Sequence, residues 1–90
     1  MISLHKVRGS SMSPNFKDQD IVLSIKYLRS LKNNDVVLLD LPNYGVVLKR
    51  IKSINGDNLE LTGDNKKYNS PIYNNIYKKE NVIGKVIFRF

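Results

Sequence analysis

The chain has no cysteine, no tryptophan, no alanine and a single histidine, His5, among its 90 residues. Without cysteine it can form no disulfide, use no thiol nucleophile and build no cysteine-based zinc site. One histidine leaves little scope for a histidine-rich metal site. We therefore expect no metal and no cofactor, and the length predicts a single domain over residues 1–90.

Long apolar stretches are also missing. The longest runs, residues 36–39 and 45–48, fall far short of the ~20 residues that a membrane helix needs. Residues 1–8 lack the apolar core of a secretory signal. We expect no membrane span and a cytoplasmic protein.

Positive charge is in excess, with 15 Lys and Arg against 8 Asp and Glu. Such a balance is compatible with binding to nucleic acid or to an anionic membrane surface. The basic residues are spread along the chain, however, and abundant Asn, Lys, Ile and Tyr are also what AT-rich coding produces. A basic β-barrel whose tyrosines stack on bases remains an alternative, but no alternating aromatic platform is evident, and we do not expect nucleic acid as a partner.

Strand signals dominate the pattern. Asn55-Gly56 predicts a hairpin turn, because both residues tolerate positive φ, and Gly84 indicates a bulge or a close backbone approach. The only helical candidate is residues 25–31, and irregular connections are expected at 9–19 and 63–76. Predicted strands cover residues 20–26, 35–41, 45–54, 59–61 and 82–90. The fold class is therefore mostly β, a compact antiparallel β-barrel or folded sheet.

The first irregular segment, Gly9-Ser10-Ser11-Met12-Ser13-Pro14, could hold a nucleophile. Glycine before a serine permits a tight turn with exposed N–H groups, and proline stiffens the exit. Ser11 on such a turn could attack a carbonyl while nearby amides, around Gly9 and Ser10, face the developing oxyanion. Met12 and Pro14 are the expected apolar wall for substrate. An ordinary strand-joining loop would have the same composition.

A nucleophilic serine needs a base. His5 lies six residues before Ser11 on a strand that leads into the turn, so a histidine triad is not expected. In a strand, Lys49 shares a face with Val47 and Ile51, and this apolar setting would lower its pKa and supply a neutral amine. Arg50 cannot act as base, because a guanidinium stays charged. A strand lysine that snorkels to solvent is the structural alternative.

Taken together, the segments resemble the conserved boxes of the signal peptidase I clan, in family order and over nearly the whole chain. The boxes are Val7-x-Gly9-x-Ser11-Met12-x-Pro14, Asp20-Ile21-Val22-Leu23, Asn34-Asp35-Val36-Val37, Lys49-Arg50-Ile51, Gly63-Asp64-Asn65 and Ile83-Gly84-Lys85-Val86. The resemblance implies the catalytic fold of signal peptidases and LexA-type repressors. It also implies a serine endopeptidase with Ser11 as nucleophile and Lys49 as general base. Supporting roles fall to four residues: Arg50, Asp64, Asn65 and Ser70.

Departures from the family pattern limit what carries over. After Gly63-Asp64-Asn65, the serine that steadies the base in the family is displaced, so either Ser70 or no side chain takes that role. By its short length and by its ending, residues 84–90, the chain looks most like the short soluble branch of the clan, which resembles the maturation proteases of nickel superoxide dismutase. The expected partner is then a protein precursor whose N-terminal extension is removed. A soluble signal-peptidase-like or LexA-like peptidase with another substrate remains the alternative.

Overall fold

Seven antiparallel strands form one sheet within the part of the chain that the computed structural model describes, residues 2–26, 31–67 and 70–90. The strand bounds are β1 Ile2–Lys6, β2 Ile21–Ile25, β3 Val36–Leu41, β4 Gly45–Asn55, β5 Asn58–Thr62, β6 Ile76–Lys78 and β7 Val82–Arg89. Their order across the sheet is β1-β2-β7-β3-β4-β5-β6. The mostly β prediction is confirmed, in its folded-sheet form, with β1 and β6 at the two edges of the order.

The sheet folds around two apolar clusters, and β3 lies between them. Alternate side chains of a strand point to opposite faces. Val37 and Leu39 accordingly belong to a cluster with Ile51 and Leu59, whereas Leu38 belongs to a second cluster with Met12 and Val22. Burial on both faces is the reason that residues 36–39 read as an uninterrupted apolar run.

Strand β4 carries Lys49 and Arg50, two residues of the candidate site. It pairs with β3 along Gly45 to Arg50, and in this register Lys49 lies opposite Val37, which is fully buried. On its other side, β5 pairs with β4 only from Arg50 onward within the described residues. The first half of β4 therefore has one backbone edge that β5 does not cover.

The predicted hairpin at Asn55-Gly56 and the predicted irregularity at Gly84 are both confirmed, but the hairpin turn lies one residue later than expected. The turn between β4 and β5 contains Gly56 and Asp57, since Asn55 still pairs with Asn58. Gly56 takes the positive φ of 61°, so the strand runs one residue further than the Asn-Gly pattern indicates. Gly84 lies beside a register irregularity between β3 and β7, and a Cβ there would come within 2.7 Å of Ser24 Oγ.

The helical candidate is not tested as a whole, because residues 27–30 lie outside the described residues. Ile25 ends β2 and Leu31 is buried in the first cluster. A 3-10 turn, Pro71–Asn74, interrupts the predicted irregular connection 63–76. None of the helices in the described ranges is long and apolar enough to cross a membrane.

Candidate active site

The segment between β1 and β2 places Ser11 at the surface of the second cluster. Met12 is only 1% exposed and anchors the turn in that cluster, while the Phe16 N–H donates to the Met12 carbonyl at 2.9 Å. Gly9 has a φ of 81°, which a residue with a side chain adopts only with strain, and its N–H donates to Asp18 Oδ1 at 2.8 Å. The turn is therefore held at both ends, with half-buried Ser11 between the two anchors.

Lys49 reaches Ser11 from β4. Its Nζ donates to Ser11 Oγ at 2.8 Å, across 38 residues of sequence. The lysine is 6% exposed, with Val37 opposite it on β3 and Val47 and Ile51 on its own strand face. Removal from water disfavours the ammonium, and this burial lowers the pKa of Lys49 from its ordinary value. The snorkelling alternative does not describe this side chain.

A third group completes the surroundings of the amine. Lys49 Nζ also donates to the Tyr73 hydroxyl at 3.3 Å, and it lies 5.2 Å from the centre of the Tyr73 ring. Burial, followed by the charge of Asp64, raises the pKa of Tyr73, so this hydroxyl stays protonated. The sequence analysis considers Tyr73 only as one of the tyrosines that could stack on nucleic-acid bases.

The Gly63-Asp64-Asn65 segment holds the serine turn from the other side. The Asn65 N–H donates to the Ser11 carbonyl and Asn65 Nδ2 to the Ser10 carbonyl, both at 2.9 Å. Gly63 packs so closely that a Cβ would lie 2.7 Å from the Ser11 carbonyl oxygen. This contact leaves no room for a side chain and explains why glycine occupies the position.

Asp64 fixes that segment to β4 through a two-bonded ion pair. Arg50 Nε donates to Asp64 Oδ1 at 2.6 Å and Arg50 Nη2 to Oδ2 at 2.7 Å, while Nη1 donates to the Asn34 carbonyl at 2.6 Å. Asn15 Nδ2 adds a bond to Asp64 Oδ2 at 2.9 Å. The hydrogen bond from Arg50 is the largest cause of the lowered pKa of Asp64, and the same bond raises the pKa of Arg50.

Ser70 lies apart from this network. Its Oγ accepts the Ile72 N–H at 3.2 Å and so caps the 3-10 turn. The carbonyl of Ser70 accepts the Tyr73 N–H at 3.0 Å. Among the described residues, the hydroxyls bonded to the Lys49 amine are those of Ser11 and Tyr73.

A cavity of about 90 Å³ opens beside the Ser11–Lys49 pair. One wall comes from the end of β1 and the serine turn, the other from the first half of β4. The lining residues are His5, Val7, Arg8, Gly9, Ser11, Met12, Val46, Val47, Leu48 and Lys49. Gly9 and Met12 were expected here; Ser10 and the exposed Pro14 are not part of this lining, and the apolar wall comes largely from β4.

His5 and Arg8 border the cavity and had no predicted role there. Burial, followed by the positive charge of Arg8, lowers the pKa of His5, so the imidazole is neutral at pH 7. Among the described residues the hydrogen bond to Ser11 Oγ comes from Lys49 rather than from His5. No sequence signal marks this position, because apolar alternation would point Ile2 and Leu4 inward, whereas both are exposed and His5 is the least exposed residue of β1.

This arrangement has the chemical parts of a serine hydrolase. A hydroxyl lies within hydrogen-bond reach of an amine whose charged form is disfavoured, and both border a cavity lined by the first half of β4, the part that β5 does not pair with in the described residues. A family described as Peptidase S24-like matches residues 2–87. No curated protein matches this chain. The match covers both residues of the pair and the segment that supports them.

Proposed function

The chain belongs to the Peptidase S24-like family, and on that basis we propose that it is a serine endopeptidase with Ser11 as nucleophile and Lys49 as general base. The observation that carries this proposal is the 2.8 Å contact between Lys49 Nζ and Ser11 Oγ, made by a lysine only 6% exposed. A neutral amine accepts a proton, whereas an ammonium does not, and burial favours the neutral form.

The reaction runs as acyl transfer. Neutral Lys49 takes the proton of the Ser11 hydroxyl as Oγ attacks the scissile carbonyl carbon. The tetrahedral intermediate collapses, Lys49 returns the proton to the departing amine, and an ester on Ser11 remains. Water then attacks the ester with Lys49 again as base, which releases the acid and restores the serine.

Oxyanion stabilisation is assigned to the N–H groups of the serine turn. Preorganised backbone donors are usually the largest electrostatic contribution to acyl transfer. The Gly9 N–H already donates to Asp18 Oδ1, so the groups that remain for an oxyanion are those that follow it, around Ser10 and Ser11. The bond from Asn65 Nδ2 to the Ser10 carbonyl orients the peptide plane that carries the Ser11 N–H, and the bond from the Asn65 N–H to the Ser11 carbonyl orients the next plane.

Substrate binds as an extended segment along β4. The edge of Val46 to Lys49 that β5 leaves uncovered borders the cavity, and an extended peptide can add backbone hydrogen bonds at such an edge. The small volume beside Ser11 accommodates a small side chain next to the scissile bond. A flexible tail fits this requirement, because it enters a groove without unfolding a core.

The proposed substrate is therefore the N-terminal extension of a protein precursor, and the candidate is a nickel superoxide dismutase precursor. This assignment rests on the resemblance described in the sequence analysis. Removal of the extension would free a new N-terminal amine that could bind metal.

Incubation with such a precursor, followed by mass spectrometry of the new terminus, tests the proposal. We expect one cut near the N-terminus with the wild-type protein and no cut with Ser11→Ala. Ser10→Ala is the matched control, because it removes only a neighbouring hydroxyl and keeps the Ser10 backbone N–H and carbonyl, so it should cleave at nearly the wild-type rate. Cleavage that persists in Ser11→Ala would refute the catalytic assignment. Ser11-dependent cleavage of other peptides, with the dismutase precursor intact, would retain the peptidase and reject this substrate.

A further inference from the structure

Within the described residues Lys49 has two hydroxyl partners, Ser11 and Tyr73, and the reaction described above uses only Ser11. Ser11 Oγ lies 2.8 Å and the Tyr73 hydroxyl 3.3 Å from the amine nitrogen. A lysine amine ends a side chain with several rotatable bonds, so one hydrogen bond alone does not fix its direction. A second partner restricts the amine to the position from which it can reach the serine proton.

Tyr73 is itself held in place. Its backbone belongs to the 3-10 turn Pro71–Asn74, which Ser70 caps, and the neighbouring Ile72 is 4% exposed within the first apolar cluster. The Tyr73 ring packs against the same cluster. Gly63 leaves space for the Tyr73 hydroxyl, because a Cβ on residue 63 would overlap the hydroxyl oxygen. The hydroxyl is therefore directed at Lys49 by packing on several sides.

We propose that Tyr73 is the positioning residue for the general base: its hydroxyl and ring direct the Lys49 amine toward Ser11 and stabilise that amine once it has accepted the serine proton. This inference rests on the proposed peptidase function. It assigns to a tyrosine the place for which the sequence suggested Ser70 or no side chain. Tyr73 is bonded to the proposed base and acts through it, by holding the Lys49 amine in place.

The physical reason is the difference between the two charge states of the amine. A neutral amine is a weak donor, whereas an ammonium makes a charge-assisted hydrogen bond roughly twice as strong. The negative face of an aromatic ring likewise attracts a cation and not a neutral amine. Tyr73 therefore offsets part of the desolvation of protonated Lys49, the species present while the tetrahedral intermediate exists.

Other charged and titratable groups surround the site, and they could also influence the titration of Lys49. His5 and Arg8 share the cavity with Lys49, from the β1 side. Arg50 follows Lys49 on β4 and is bonded to Asp64, whose charge also reaches Tyr73. None of these groups is altered when tyrosine is replaced by phenylalanine, so a change in Lys49 titration reports the lost hydroxyl.

The test compares Tyr73→Phe with Tyr77→Phe. Tyr77 packs against the same apolar cluster, so its substitution is the same chemical change without the Lys49 contact. In Tyr73→Phe we expect kcat to fall about tenfold, the equivalent of about 1.4 kcal/mol of lost transition-state stabilisation. The titration of Lys49, followed through its Cε and Hε chemical shifts, should move to lower pH, because the ammonium has lost an acceptor. The acid limb of the rate profile should move in the same direction, and Tyr77→Phe should leave both unchanged.

Two measurements separate the possible failures. An unchanged Lys49 titration and an unchanged acid limb in Tyr73→Phe would overturn the inference, even if activity fell through loss of stability. In the wild-type protein, Lys49 Hε should show contacts to the Tyr73 ring protons and a ring-current shift; their absence would also overturn it, without any variant. Both NMR readouts are independent of proteolysis, whereas failure of the proposed function would appear as cleavage that does not depend on Ser11.

Discussion

Replacing Asp64 by asparagine should destabilise the protein and disturb the serine turn together. The substitution keeps the shape of the side chain and removes its charge, so Arg50 loses a two-bonded carboxylate at 2.6 and 2.7 Å. The Arg50 guanidinium keeps its bond to the Asn34 carbonyl. Because Asp64 is followed directly by Asn65, whose two bonds hold Ser10 and Ser11, the Ser11 side chain should also lose some of its placement.

The size of the expected stability loss follows from how exposed the Arg50–Asp64 ion pair is. Removing one partner of a fully buried ion pair costs about 3–5 kcal/mol, whereas an exposed pair is worth about 0.2–1 kcal/mol. Here the arginine side chain is 26% exposed and the aspartate 9%, which lies between those limits. We therefore expect a loss of about 2 kcal/mol, and a melting temperature lower by about 10 °C for a domain of this size.

The pH dependence gives this prediction a sharper test. The pKa of Asp64 is lowered in the folded protein, chiefly by its hydrogen bond from Arg50, so the ionised carboxylate stabilises the fold at any pH above the unfolded value of about 3.9. That contribution is lost as the pH falls through the lowered folded pKa. Wild type and Asp64→Asn should therefore differ in urea unfolding at pH 7 and converge at strongly acidic pH.

Asp40→Asn is the matched control, since Asp40 is an exposed residue of β3 and should change stability by less than about 0.5 kcal/mol. Equal stability of Asp64→Asn and wild type at pH 7 would refute the reasoning. So would a difference that is as large at acidic pH as at neutral pH, because the effect would then not come from the charge of Asp64.

The remaining predictions concern the amine and the glycine next to Asp64. Lys49→Arg should lose at least about 100-fold in peptide cleavage at every pH, because a guanidinium accepts no proton, whereas wild-type activity should rise with pH through the lowered pKa of Lys49. Lys49→Met should be inactive yet melt about 5 °C higher at pH 7, with the gain shrinking as pH approaches the ordinary lysine value in thermal scans. Gly63→Ala should lose about 1–3 kcal/mol in urea unfolding and most of its activity, because its Cβ would meet the Ser11 carbonyl oxygen at 2.7 Å.

Much of the fold could be predicted from the sequence, because a central strand that is buried on both faces is apolar along its length. Residues 36–39 are apolar on both strand faces, and the structure buries both. The edge strands were harder. The apolar residues Ile2 and Leu4 of β1 are exposed and β6 has only three residues, so in neither strand does the sequence pattern report burial.

The candidate site likewise has a part that the sequence predicts and a part that it does not. Strand alternation places Lys49 on an apolar face, and the family boxes bring it to Ser11; their side chains do meet, at 2.8 Å, while their catalytic roles stay predictions. Tyr73 could not be found by either route. It lies on a short 3-10 turn in a segment without periodicity that departs from the family pattern, and its contact with Lys49 spans 24 residues.

Two adjacent basic residues of β4, Lys49 and Arg50, show how strand geometry separates opposite electrostatic requirements. Lys49 faces apolar side chains, and burial alone accounts for its lowered pKa, while Arg50 points to the other face and binds Asp64. A carboxylate within ~4–6 Å of a lysine favours the ammonium and would oppose the effect of burial. Asp64 is bonded to Arg50 on that other face, so it can hold the Asn65 segment near Ser11 while burial remains the cause of the lowered pKa of Lys49. Exchanging the two residues would place a permanently charged guanidinium on the apolar face and leave the aspartate with a weaker, singly bonded partner. The order Lys-Arg, and not merely the presence of two basic residues, is therefore what the proposed site requires.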